Sequence, residues 1–130
     1  MVLADSNIMI EYFRSRDSEL AKKIDNMDIV LCGAVRAEII HGARTDQEID
    51  NYLEAFKTFE QPINDDYDWE GAGFILQTMR SNGFQIPFAD AVIAFIDMKY
   101  DIPLWTQDTH FLLLQGCYPE LKLYSPKESS

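Results

Sequence analysis

Short apolar runs alternate with longer segments of helical period along the 130-residue chain, the pattern of an α/β domain built on a mainly parallel sheet. Val2–Ala4 (VLA) reads as the first strand and Ile29–Cys32 (IVLC) as the second. A weak third around Gln61–Ile63, a fourth at Pro103–Thr106 (PLWT) and an edge strand at Leu121–Tyr124 (LKLY) give an expected sheet of four to five strands. Between them, Ile49, Tyr52, Leu53, Phe56 and Phe59 fall at helical spacing and predict a helix over Gln47–Phe59 with an aromatic core stripe. A second helix is expected from about Asp65 to Arg80, opening on acids that suit the helix dipole and stopping before Gly83. Pro87 sits early in a third, which runs to about Tyr100. The expectation is one three-layer α/β/α domain over residues 1–125, followed by a disordered tail at 126–130.

Composition narrows this only a little. With 47% apolar residues the chain can bury one real core. Its net charge of −11 disfavours a surface that attracts nucleic acid as a whole, but not contact with RNA through bound cations and a few rim arginines. Cys32 and Cys117 are far apart and form no CxxC pattern, so neither a disulfide framework nor a zinc site is suggested. No apolar run approaches the ~20 residues of a membrane span, and no basic segment leads into a long apolar one. A cytoplasmic protein without membrane contact is expected.

Candidate chemistry lies in four acids set in apolar segments: Asp5 in VLADSNIMI, Glu38 in AVRAEIIHGA, Asp90 in PFADAVIAFI and Asp108 in PLWTQD. An unpaired carboxylate taken out of water costs several kcal/mol or more, so each must be paired, protonated or bound to a cation. Asp5 and Asp108 follow strands and precede helices, where Asp is a good cap. Asp90 falls in a first turn, which favours an acid by ~0.3–1 kcal/mol, although the rest of its helix is apolar enough to be buried. Glu38 has no such explanation. It lies inside a helix, its neighbours one turn away are Ala34, Val35 and Gly42, and such a glutamate either snorkels to the surface or faces a cavity. In a parallel sheet all strands present the same end to one side, so convergence of the four acids is the economical reading. Two unit charges ~4 Å apart repel by roughly 4 kcal/mol at an effective dielectric near 20. A hard divalent ion, Mg²⁺ or Mn²⁺, removes that penalty and points to phosphate chemistry.

These segments resemble the PIN-domain ribonucleases, and among them the VapC-type toxins of type II toxin–antitoxin pairs, over nearly the whole chain. VLADSNIMIEYF is similar to the first motif and maps its acid to Asp5, braced by Ser6 and Asn7. VRAEIIHGA resembles the second, with Glu38 and Gly42, and SNGFQIPFADAVIAF the third, with Gly83, Ile86, Pro87 and Asp90. LWTQDTHF resembles the fourth, with Thr106, Asp108 and Phe111. Each motif fixes only two or three residues; their order and spacing together are specific. Asp97 departs from the pattern, since the position is usually small or apolar; ~10 Å along the helix from Asp90, it is expected in a surface ion pair.

The resemblance implies a metal-dependent endoribonuclease that leaves 5′-phosphate and 3′-hydroxyl ends. Asp5, Glu38 and Asp90 would hold Mg²⁺ or Mn²⁺, with Asp108 completing that site or a second, weaker one. It also implies a homodimer silenced by an antitoxin that presents an arginine to the acids, with Trp69 and its apolar neighbours a candidate surface for either contact. Arg14, Arg16, Arg36 and Arg44 flank the motifs and are candidates for phosphate contacts. His41 and His110 read as packing or surface residues, with at most a minor phosphate contact for His110. Two other readings are a degenerate PIN scaffold that binds RNA or a partner without cutting, and an aspartyl-phosphate phosphotransfer protein. The second is disfavoured because Asn7 stands where a phosphatase needs a second Asp, and Asp65–Asp66 follow the wrong segment for a receiver.

Overall fold

A computed structural model describes residues 1–62 and 66–126, with the side chains of 66 and 67 outside the description. The described elements run β1 (Val2–Ala4), α1 (Ser6–Arg14), α2 (Glu19–Asp25), β2 (Ile29–Val30), α3 (Gly33–His41), α4 (Asp46–Phe56), α5 (Asp66–Ser81), α6 (Phe88–Tyr100), β3 (Leu104–Trp105) and α7 (His110–Cys117). The sheet is parallel throughout, in the order β2-β1-β3, with Val2 opposite Ile29 and Leu3 opposite Leu104. All three residues of β1 are buried, as a central strand requires when helices cover both faces of the sheet. The fold class is therefore α/β.

The sheet is narrower than the sequence implies. Beyond β2 lies a single parallel bridge, Val30 to Glu60, and beyond β3 another, Leu104 to Leu123. The expected strand at Gln61–Ile63 is thus reduced to one residue at Glu60, with Ile63 outside the described residues, and LKLY to one at Leu123. Among the described residues, three strands with two flanking bridges stand where four to five strands are expected.

Helix ends follow local chemistry. Gly83 adopts a φ of 88°, and the Phe84 amide donates to the Met79 carbonyl at 2.9 Å, a left-handed stop that closes α5. Pro87 is the N-cap of α6 rather than a residue within it, its carbonyl accepting from the Asp90 and Ala91 amides. The aromatic helix ends at Phe56, three residues before its expected end. The Arg36 guanidinium collects the Phe56 and Phe59 carbonyls at 3.0 Å each, together with those of Leu31 and Glu60, and so turns the chain out of the helix. Tyr52 and Phe56 are buried and Phe59 half-buried, but Leu53 is exposed.

The core is continuous from β1 through α1, α3 and α6 to α7. α6 carries the most of it: Ala91, Val92, Ile93, Ala94 and Ile96 are all buried, as are Asp90 and Asp97. Its neighbour α5 comes so close that a Cβ on Gly71 would stand 2.2 Å from the Phe95 ring. Buried Asp68 on α5 pairs with Lys99 on α6, tying the two helices together.

Candidate metal centre

β1 ends at Asp5, whose backbone amide continues the ladder by donating to the Trp105 carbonyl at 2.9 Å. The side chain then caps α1, with Oδ1 accepting from the Ser6 amide at 2.8 Å. The cap uses one oxygen only. Oδ2 accepts from the Thr106 hydroxyl at 2.6 Å, so the carboxylate is held from both ends while remaining 3% exposed. Burial pushes its pKa above the ordinary carboxylate value; the Thr106 and Ser6 bonds work against that, and the nearby Asp108 charge works with it.

Thr106 also organises the next acid. Its Oγ1 accepts from the Asp108 amide at 2.9 Å, and Asp108 Oδ1 in turn accepts from the His110 amide at 2.9 Å, which fixes the turn into α7. Asn7 secures the same loop, its Oδ1 accepting from the Gln107 amide at 3.3 Å. Expected as a brace for Asp5, Asn7 instead tethers the segment that carries Asp108. Phe111 follows, fully buried, and anchors α7 in the core.

Asp90 reaches this loop from α6. Its Oδ2 lies 3.1 Å from His110 Nδ1, which is also 3.3 Å from Asp108 Oδ1. Burial raises the Asp90 pKa to about 6, opposed by the His110 hydrogen bond and reinforced by the Asp108 and Asp5 charges. Glu38 arrives from the middle of α3. Its pKa is raised by burial first and then by the charges of Asp5 and Asp90, with the Ser6 side chain offsetting part of this. Glu38 Oε1 is buried and has no hydrogen-bond partner. Asp5, Glu38 and Asp90 each feel the charge of Asp108 and, for Glu38 and Asp90, of other acids of the set as well, although each comes from a different segment.

The donor set fits a cation. One ligand atom each from Asp90, Asp108 and His110 lie within 4.8 Å of one another. The orphaned Glu38 oxygen supplies a further acceptor with nothing to accept from. Among the described residues no Lys or Arg pairs with these four acids, and His110 is the sole partner able to carry positive charge.

Several expectations change. Asp97 is not in a surface ion pair: it is 1% exposed, and its Oδ1 accepts from the Lys122 amide at 3.0 Å. It clamps α6 to the bridge at the sheet edge, and the charged groups acting on it are Lys122 and Asp101, not the four acids. Arg36 is not free for phosphate, since its donors go to backbone carbonyls. Arg16 lies over the Tyr12 ring and 3.9 Å from Asp25, whereas Arg14 and Arg44 are exposed. His110, read from sequence as peripheral, lies inside the cluster; its only sequence signal is its place two residues after Asp108. Beside Glu38, an apolar groove of about 400 Å³ runs along Ala34, His41, Trp69 and Phe88, with the Trp69 and Phe88 rings stacked at 6.3 Å.

No family model and no curated protein sequence matches the chain. Solved structures do. A VapBC2 complex from Rickettsia felis bound to a DNA fragment from its promoter contains a chain that superposes with a TM-score of 0.77 at 18% identity, covering 95% of this chain and 98% of that one. VapBC-1 from nontypeable Haemophilus influenzae gives 0.74 at 18% identity, over 96% and 98% of the two chains. A toxin–antitoxin complex from Klebsiella pneumoniae gives 0.69 at 21% identity, over 93% and 95%. This chain has the fold found in these toxin–antitoxin complexes, along essentially its whole length, as its resemblance to VapC-type PIN domains implies.

Proposed function

We propose that the protein is a divalent-metal-dependent endoribonuclease and the toxin component of a toxin–antitoxin pair. One observation carries this reading: four carboxylates from four segments lie near one another with no lysine or arginine paired to them among the described residues, and a buried Glu38 oxygen is left without a partner. Without a cation such a cluster is costly, because desolvation and mutual repulsion act on the same groups.

Asp5, Glu38, Asp90 and Asp108 would hold Mg²⁺ or Mn²⁺. Held there, such an ion would lower the pKa of a bound water for in-line attack on phosphorus and would offset charge on the leaving oxygen. The chain's own residues provide position. Thr106 and the Ser6 amide lock Asp5 in one orientation, and the fixed 106–110 turn presents Asp108 beside it. Buried Asp90 and half-buried Glu38 approach from helices whose backbones are set by the core, so the acids need little rearrangement to bind an ion. Exposed Arg14 and Arg44 are available to RNA phosphates outside the acidic centre.

The solved neighbours, a toxin–antitoxin complex and two VapBC structures, support a protein partner. An antitoxin would cover the acids, presenting an arginine to them, and exposed Trp69 and Phe88 beside Glu38 offer it apolar surface. A homodimer in the cytoplasm completes the proposal; no described helix is long and apolar enough to cross a membrane.

The test is cleavage of a mixed RNA substrate by the purified chain. Activity should require Mg²⁺ or Mn²⁺, vanish with EDTA, leave 5′-phosphate ends, and be lost in Asp5→Asn and Asp90→Asn variants that retain native circular dichroism. Undiminished cleavage by those variants, or cleavage in EDTA, overturns the reading; binding of RNA without cleavage by the native chain favours a degenerate scaffold.

A further inference from the structure

Resting on that metal reading, we infer that His110 is itself a ligand of the ion, through Nδ1, and that it makes the site select Mn²⁺ over Mg²⁺. The separations come first. Nδ1 lies 3.1 Å from Asp90 Oδ2 and 3.3 Å from Asp108 Oδ1. Adjacent donors of an octahedral ion with bonds near 2.1 Å stand about 3.0 Å apart, so both separations from Nδ1 are close to those of neighbouring donors in such a shell, and the three ligand atoms lie within 4.8 Å of one another. The orphaned Glu38 oxygen provides an independent sign that the cluster is incomplete without a bound cation.

The ring's position does not depend on the ion. His110 is the first residue of α7, its amide is held by the Asp108 carboxylate, and the next residue, Phe111, is fully buried. Backbone and core together set the ring against the two acids. Its side chain is 41% exposed, leaving room for water and a phosphate oxygen on the open side.

Donor chemistry gives the selectivity. Mg²⁺ takes oxygen ligands and retains water, whereas first-row transition ions accept an imidazole nitrogen readily. Among those ions, Mn²⁺ best suits a set that is otherwise carboxylate. An imidazole therefore turns an oxygen site that Mg²⁺ and Mn²⁺ would share into one that favours Mn²⁺.

Metal-stripped protein titrated with Mn²⁺ and followed by electron paramagnetic resonance tests this without RNA. The native chain should show spin-echo modulation from a directly bound imidazole nitrogen, and Mg²⁺ should displace the Mn²⁺ poorly. In His110→Gln the nitrogen signal should vanish, the Mn²⁺ dissociation constant should rise at least about tenfold, and the preference over Mg²⁺ should narrow. His41→Gln, which alters the chain's other histidine, should leave all three unchanged. Tight Mn²⁺ binding to the native chain without nitrogen modulation overturns the inference and leaves the proposed function standing. So does equal binding by His110→Gln. Failure of the native chain to bind either ion overturns both.

Discussion

The Thr106 hydroxyl donates to Asp5 Oδ2 at 2.6 Å, joining two residues 101 positions apart in sequence. Thr106 Oγ1 also accepts from the Asp108 amide, so one side chain sets the orientation of two acids. Thr106→Val keeps the shape and removes both bonds. It should lower metal affinity and RNA cleavage by roughly 10–100-fold, the usual cost of losing a group that orients a ligand. Thr106→Ser should recover most of both. Metal titration and cleavage rates of the two variants check this; native affinity and cleavage in Thr106→Val would mean the hydroxyl does not orient the acids.

Metal binding should stabilise the fold in a pH-dependent way. The proton and the ion compete for Asp90, whose pKa is raised to about 6. At pH 7.5 the carboxylate is free for the ion, and Mn²⁺ should raise the Tm by several degrees over EDTA, as any ligand specific to the native state does. At pH 5.5 the proton wins more often and the rise should shrink. Thermal melts at the two pH values measure it, and a shift that is larger at pH 5.5 would contradict the assignment of Asp90.

Arg36 holds the carbonyls of Leu31, Phe56, Phe59 and Glu60, and so joins α3 to the end of α4 and the sheet edge. Arg36→Ala leaves these acceptors without their donor and should destabilise the chain by about 2–4 kcal/mol, as loss of several charge-assisted bonds implies. Arg36→Lys should rescue little, because one ammonium cannot span acceptors that a planar fork reaches together. Urea unfolding of both variants decides, and near-native stability of the lysine variant would refute the fork argument.

What the sequence made legible was local. Asp5 between an apolar strand and an amphipathic helix, and Glu38 in a helix where no cap explains an acid, stand out because strand alternation and helical period are properties of neighbouring residues. What it hid was tertiary. Nothing near His110 signals that Asp90, 20 residues earlier, will meet it at 3.1 Å. Arg36 looks like any arginine beside a motif until α4 is folded back over it. The flanking strands read from Gln61–Ile63 and LKLY shrink to bridges at Glu60 and Leu123, because strand length depends on the partner's length and β2 and β3 have only two residues each.

Asp97 shows the same limit and yields the last prediction. Spacing from Asp90 suggested a surface pair, but the side of the helix it occupies faces the sheet edge. There Oδ1 accepts from the Lys122 amide and Oδ2 is buried with no partner. Burial raises its pKa to about 6, against 3.8 ordinarily, with the backbone bonds opposing the rise. A carboxyl that titrates higher in the folded chain holds its proton more tightly when folded. Stability therefore increases as pH falls through 6 and levels off below about 4. Asp90 adds a slope of the same sign in the metal-free chain. Asp97→Asn removes the buried charge and keeps the Oδ1 acceptor, but places an N–H where no acceptor waits. In EDTA at pH 7.5 it should stabilise the chain by on the order of 1 kcal/mol, less than the full two-unit shift would give at about 1.4 kcal/mol per unit. At pH 5 it should lose that advantage, leaving between the two conditions the slope from the other acids whose pKa values are raised, Asp90, Asp5 and Glu38. Urea unfolding at both pH values tests this, and an Asp97→Asn chain with the native pH slope would show that Asp97 does not titrate in this range.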